Sequence, residues 1–257
     1  MFVDTHLHLD SEKYENYLDV IKRAKLVGVS KLITIGTSIL EIEVINKIIQ
    51  EPDVYGCLGI YPTLDSSFET QELKKILEQN ISKKIVGIGE CGFNQPIENN
   101  DRDLKEQEKV FRMQIELAIE KNLPLVVHTR NSDNETYEVL KSYKNSNLKG
   151  VIHCFVSDYE FAKKILDLGF YLSFNGIVTY KSGIGIHETI KKMPLDRMLF
   201  ETDAPYLTPE GYRKEINEPK FIPIIAQYIA EIKGIGFSNL ENQVYENSVT
   251  LFDKIAS

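Results

Sequence analysis

Cysteine is scarce in this chain of 257 residues: Cys57, Cys91 and Cys154 are widely spaced, form no C-x-x-C pair and leave one unpaired under any disulfide scheme. A disulfide framework is excluded, and a reducing cytoplasm is the expected setting. Long hydrophobic runs are missing too. Stretches such as residues 123–127 fall far short of the roughly 20 apolar residues that cross a bilayer, so no membrane partner is expected. The start Met1-Phe2-Val3-Asp4 carries no basic segment followed by an apolar one, which argues against an export signal. No Pro/Ser/Gly-rich stretch and no repeat divides the chain, so one domain over residues 1–257 is expected. Positive charge is in deficit, with 30 Lys and Arg against 38 Asp and Glu for a net charge of −8. That excludes broad, sequence-independent wrapping of nucleic acid, whose affinity comes from cations neutralising phosphates. A DNA substrate would be met locally and with the help of metal, as at one end of a strand. No G-x-G-x-x-G or Walker loop follows any strand-like segment, and nothing calls for an obligate protein partner.

What is present is alternation. Strand-like segments at residues 1–4, 31–36, 54–59, 85–89, 125–128, 151–153, 170–174 and 198–201 are separated by amphipathic stretches. In residues 106–121 the side chains Val110, Phe111, Ile115, Leu117 and Ala118 fall on one helical face, continued by Leu123. Two further helical stretches, residues 219–233 and 239–255, close the chain. Eight strands alternating with helices over a length near 250 residues point to an α/β fold, a single TIM-type (β/α)8 barrel rather than an open sheet.

The five histidines carry the chemistry. His6 and His8 follow the first strand, His128 ends the fifth and His153 the sixth, while His187 falls at a helix start after the seventh. Residues two apart on a strand share a face. His6 and His8 therefore project together with Asp4 behind them, Arg130 goes with His128, Glu201 with Asp203, and Cys154 opposite His153, as packing. Glu90 closes the fourth strand and Asp203 follows the eighth. In a barrel all these strand ends converge on one mouth. Imidazole and carboxylate donors suit Zn²⁺, Mn²⁺ or related divalent ions, and a bridging carboxylate can hold two ions roughly 3.5–4 Å apart. Taken singly, each residue reads as well as a helix cap or a hydrogen-bonded loop group; their joint placement is what packing does not require. Arg130 reads either as an exposed surface cation or as a planar fork for phosphate. Ser173, Asn175 and Gly176 after the seventh strand read either as turn chemistry or as phosphate contacts.

The chain resembles the TatD-type metal-dependent deoxyribonucleases, among the amidohydrolase-like barrel enzymes. The resemblance runs through Asp4-Thr5-His6-Leu7-His8-Leu9-Asp10, residues 86–92 with Glu90, the helix segment from Gln107 to Ala118, residues 123–130 with His128 and Arg130, residues 151–155 with His153, residues 199–209 with Asp203, and Asn217-Glu218-Pro219. It implies two divalent metal ions, Zn²⁺, Mn²⁺ or Mg²⁺, with Glu90 bridging, His6, His8 and Asp203 on one ion and His128 and His153 on the other. Two positions depart from the family pattern: Tyr61 stands where a His usually precedes Pro62, and Asn94 where an Asp is usual in residues 92–94. Both are expected on the substrate side of the mouth.

The resulting expectation is a hydrolase of phosphodiester bonds, a 3′-5′ deoxyribonuclease acting through a metal-activated hydroxide on single-stranded DNA, strand ends or small phosphate esters. Asp203 serves as general base beside Glu90, Arg130 clamps phosphate, and Glu201 orients its neighbours and, with Tyr61, Asn94 and Ser173, lines the substrate side. The rival readings are a two-metal amidohydrolase or lactonase, many of which bridge their metals with a modified lysine where Glu90 stands, and a noncatalytic metal or nucleic-acid binding protein.

Overall fold

The structure, a computed structural model, describes residues 1–63, 68–95 and 103–256. Its strands are β1 (Phe2–Leu7), β2 (Val29–Gly36), β3 (Val54–Leu58), β4 (Ile85–Asn94), β5 (Leu125–Arg130), β6 (Gly150–Ile152), β7 (Tyr171–Phe174) and β8 (Met198–Phe200). They pair in parallel and in sequence order. The barrel closes where Leu7 bridges Ala204 and where His8 N and Asp203 N donate to Ala204 O and His6 O at 2.7 and 2.9 Å. This is the TIM-type barrel that the alternating pattern implied.

Period-two alternation sorts each strand into two cores. Val3, Ile33, Tyr55, Val86, Val126, Val151, Tyr171 and Leu199, one from each strand, fill the barrel with Leu251, Phe252 and Ile255 from the end of the chain. Their neighbours Phe2, Leu32, Val54, Ile85, Leu125, Ile152, Leu172 and Phe200 point outward into the larger core under the helices. Lys254 Nζ donates to Ile85 O at the start of β4, so the chain terminus floors the barrel at the end opposite the mouth. The polar ends of the strands are therefore left to the other end.

Outside the strands, α1 (Tyr17–Leu26), α2 (Ile42–Ile48), α3 (Thr70–Gln79), α4 (Leu104–Lys121), α5 (Asp133–Ser142), α6 (Tyr159–Leu166), α7 (Ile184–Lys192) and α8 (Ile222–Lys233) form the outer ring, followed by α9 (Phe237–Leu251). The longest, α4, starts where Asp103 accepts from Glu106 N and stops where Asn122 turns left-handed at φ 51°. Its expected apolar face is buried in full, and Gln107 and Gln114 are buried beside it. Among the described residues no helix is long and apolar enough to cross a membrane.

One strand departs from expectation in a way that shapes the site. β4 continues through Glu90 to Asn94, with a register shift between Ile88 and Cys91. Gly89, at φ 138° inside the shifted stretch, makes this possible: a Cβ there would lie 2.4 Å from Val126 O. The close approach of β4 to β5 places Glu90 among the histidines of the neighbouring strands instead of at a loose strand end.

Candidate metal centre

Six side chains converge at the mouth. Glu90 divides its two oxygens: Oε2 lies 3.4 Å from His6 Nε2, while Oε1 lies 2.8 Å from His128 Nδ1 and 2.9 Å from His153 Nε2. The last two nitrogens are 3.2 Å apart. Asp203 Oδ1 lies 3.5 Å from His8 Nε2 and 3.8 Å from His6 Nε2. The His6 and His153 rings stack at 3.9 Å between centroids. Donor atoms of His6, His8 and Asp203 all lie within 4.8 Å of one another, as do those of His6, Glu90 and His153.

Hydrogen bonding inside the protein does not account for this cluster. His6 is 1% exposed, yet neither of its ring nitrogens finds a hydrogen-bond partner, and His153 Nδ1 and Glu201 Oε2 are in the same position. Buried polar atoms without partners are rare and need an explanation. For His6 Nε2 a divalent cation supplies it, because imidazole lone pairs and carboxylate oxygens gathered within one coordination distance are the donor set such an ion takes. The residues present therefore fit metal.

Electrostatics agree. Burial opposes ionisation of Glu90, but the facing imidazoles of His153 and His128 hold its carboxyl well below the usual range. Burial and the neighbouring His153 push His6 down. Burial alone would also depress His8, yet the carboxylates of Asp203 and Glu90 raise it to about 9. Without metal His8 thus keeps its proton at neutral pH, and an ion can reach Nε2 only by expelling it. Metal uptake at pH 7 is expected to release the His8 proton, besides one from His153, which Glu90 and Glu201 raise as well, with affinity climbing as pH rises. Calorimetric titration in buffers of different ionisation enthalpy counts those protons; uptake with no proton release would contradict the assignment of His8.

The cavity over the cluster has a volume of about 600 Å³. Tyr61 and Arg130 line it with His8, Glu90, His128, His153 and Asp203. Three residues assigned to substrate on sequence stand elsewhere. Ser173 is fully buried, its side chain turned into the barrel, 3.4 Å from Thr5 Oγ1. Glu201 is also fully buried: Oε1 accepts from Cys154 N at 2.7 Å and Asn175 Nδ2 at 3.2 Å, and lies 3.4 Å from His153 Nδ1. Asn94, 7% exposed, sits behind His128. Strand parity aims all three inward, but depth along the barrel puts them below or behind the six clustered side chains.

Of the two readings of Asn175 and Gly176, turn chemistry is what the structure shows. Asn175 Oδ1 accepts from Ile177 N, and a Cβ on Gly176 would meet Leu207 O at 2.1 Å. Asp4 is buried beneath His6, accepts from Thr202 N and Oγ1 at 3.0 and 2.5 Å, and is raised by burial to about 8. His187 lies in α7 and bonds Val178 O. Cys154 lines the cavity, contrary to the parity argument, because β6 ends at Ile152 and Cys154 adopts φ 48°.

Sequence reasoning passed over Tyr206 and Lys13. Tyr206 is 48% exposed, its ring 6.1 Å from that of His8, and Lys13 Nζ lies 4.2 Å above its centre. Its place three residues after Asp203 was the available signal.

A (β/α)8 barrel with imidazole and carboxylate donors gathered at the C-terminal ends of its strands defines the class of metal-dependent hydrolases. The chain belongs to the family described as TatD related DNase, whose model matches residues 3–253. It is 36% identical over 254 residues to the uncharacterized metal-dependent hydrolase YabD of Bacillus subtilis, covering 98% of this chain and 99% of the relative. It is 32% identical over 245 residues to the 3'-5' ssDNA/RNA exonuclease TatD of Pantoea ananatis, covering 92% and 93%. The fold is shared with the crystal structure of YJJV, a TatD homolog from Escherichia coli, at a TM-score of 0.90 and 24% identity over 98% of each chain.

Proposed function

We propose that this protein is a two-metal phosphodiesterase that removes nucleotides from the 3′ end of single-stranded nucleic acid in the cytoplasm. The observation that carries the reading is the division of Glu90, one oxygen toward His6 and the other toward His128 and His153, which would let one carboxylate serve two ions. His6, His8 and Asp203 would hold one ion and His128 and His153 the other. The exonuclease from Pantoea ananatis, related over 92% of this chain, supports the substrate class.

When bound, the ions supply Lewis acidity and bring the pKa of water from 15.7 toward about 7. The chain's own groups do the rest. Asp203 faces the cavity and accepts the proton of the attacking water. Arg130, exposed at the end of β5, offers its planar fork to a phosphate oxygen. The half-exposed ring of Tyr206, with the Lys13 ammonium above it, gives a nucleobase a stacking face beside a cation. Glu201 fixes the orientation of His153 from below.

The test supplies Mg²⁺, Mn²⁺ or Zn²⁺ to metal-stripped protein and follows 3′- and 5′-labelled single strands, an aryl phosphodiester, amides and lactones. Metal-dependent shortening from the 3′ end, abolished by chelator, is expected. Turnover of amides or lactones with no phosphodiester cleaved under any ion would overturn the proposal. Arg130→Ala is expected to raise KM for the oligonucleotide by about tenfold, the scale of one charge-assisted hydrogen bond of roughly 1.5 kcal/mol; a KM within twofold of the parent's would remove Arg130 from the phosphate site.

A further inference from the structure

The geometry points to Asn94 as the positioning residue that fixes His128 as an Nδ1 ligand and sets the affinity of the second metal position; this rests on the metal-centre reading above. His128 Nε2 lies 3.0 Å from Asn94 Oδ1 and 3.2 Å from the Tyr61 hydroxyl. The Tyr61 O–H donates to the same Asn94 Oδ1 at 3.3 Å. Nε2 therefore faces two oxygens, one an acceptor only and the other with its proton already committed, so Nε2 is the nitrogen that carries hydrogen. The lone pair is left on Nδ1. That nitrogen points at Glu90 Oε1, 2.8 Å away, with His153 Nε2 3.2 Å off, so the donor atoms of three side chains gather where a cation can be held.

Asn94 is itself held firmly. Its backbone N–H donates to Gln107 Oε1 at 2.9 Å and its carbonyl accepts from Gln107 Nε2 at 3.4 Å, so one buried side chain from α4 grips the residue on both sides. The Tyr61 ring adds a tilted contact with His128 at 4.9 Å. Such partners fix the tautomer and ring orientation of a metal-binding histidine and tune its basicity.

The two imidazoles at this position are backed differently. Behind His153 stands the carboxylate of Glu201, at 3.4 Å from Nδ1; behind His128 stands a neutral amide. An amide oxygen draws less on the imidazole N–H than a carboxylate does, so Asn94 polarises His128 less than Glu201 polarises His153; this position also has no carboxylate of its own beside the shared Glu90, whereas the other has Asp203, so its ion is the weaker of the two. A carboxylate in place of Asn94 would reverse that.

Metal-stripped parent, Asn94→Leu, Asn94→Asp and Tyr61→Phe are titrated with Mn²⁺ and with Zn²⁺ by calorimetry, without substrate, and retained metal is counted by elemental analysis. The parent is expected to bind two ions of unequal affinity. In Asn94→Leu the weaker binding falls by about 10–100-fold, the usual loss for such a partner, while the tighter stays within threefold. Asn94→Asp restores or exceeds the parent's affinity at that position, which a merely structural role for Asn94 would not produce. Tyr61→Phe, which keeps the Nε2–H to Oδ1 bond, changes it by less than threefold. The inference is overturned if Asn94→Leu binds both ions within threefold of the parent, if the two affinities fall together without rescue by Asp, or if Tyr61→Phe loses as much as Asn94→Leu. A parent that binds no ion would sink the metal-centre reading as well, so the two failures are told apart by the parent's own titration.

Discussion

Replacing Asp203 with alanine is expected to lower kcat/KM on a phosphodiester by about a thousandfold, within the 10²–10⁴ that a positioned general base supplies. The proposed reaction gives Asp203 two duties. Its Oδ1 lies 3.5 and 3.8 Å from the facing nitrogens of His8 and His6, and its side chain opens onto the cavity. Asp203→Asn separates them, since the amide oxygen can still coordinate but cannot take a proton. The asparagine variant is expected to retain most of its metal and still lose about a hundredfold in kcat, the lower end of the same range. Elemental analysis beside steady-state kinetics decides the matter. If the asparagine variant keeps activity within tenfold of the parent, Asp203 is not the proton acceptor.

Glu201→Ala is expected to destabilise the protein by roughly 3–5 kcal/mol, the cost of breaking a buried charged pair by removing one partner. The side chain is fully buried and accepts from Cys154 N and Asn175 Nδ2 while facing His153 Nδ1. Alanine leaves those donors without a partner and unties three elements of the mouth from one another. A fall in Tm of roughly 6–20 °C follows, at about 2–4 °C per kcal/mol for a chain of this size. Glu201→Gln, which keeps an acceptor oxygen, should lose less.

The pH dependence of stability has a definite sign at this position. Burial opposes ionisation of Glu201, but His153 holds its carboxyl below the ordinary value of 4.5. Its contribution is present above about pH 4.5 and lost as pH falls through the lower folded value. Thermal melts of both variants at pH 7 test the assignment. An alanine variant that melts within 2 °C of the parent would show that water replaces the carboxylate at no cost.

The barrel could be read in the chain because its evidence is local and periodic. Each strand announces itself by a short apolar run, and α4 by an apolar face that recurs with the helical turn. The clustering could be read because the mouth of a barrel collects strand ends, so His128 at the end of β5 and His153 just after β6 had to meet. Parity failed where backbone regularity failed. Cys154 lies past the end of β6 with a positive φ, and β4 runs on beyond Glu90 through a register shift that Gly89 permits.

Depth along the barrel axis was the quantity the pattern did not hold. Alternation tells whether a side chain points in or out, but not at what height, and height decides whether it meets substrate, metal or the back of a ligand. Asn94, Ser173 and Glu201 all point inward as read, yet one stands behind His128, one is buried beside Thr5 and one ties β8 to His153. Tyr206 and Lys13 meet across 193 residues of sequence, so nothing local marked them as a pair.

By itself, then, the amino-acid order determined the number of strands, their parallel pairing with helices between, and which imidazoles and carboxylates stand at strand ends, because these follow from repeats of two and 3.6 residues along a single chain. Only the folded molecule decided that Glu90 turns one oxygen to each set of histidines, that Asn94 backs His128, and that Tyr206 flanks the opening. Those are distances between elements, and they depend on how far each strand is displaced along its neighbour when the barrel closes.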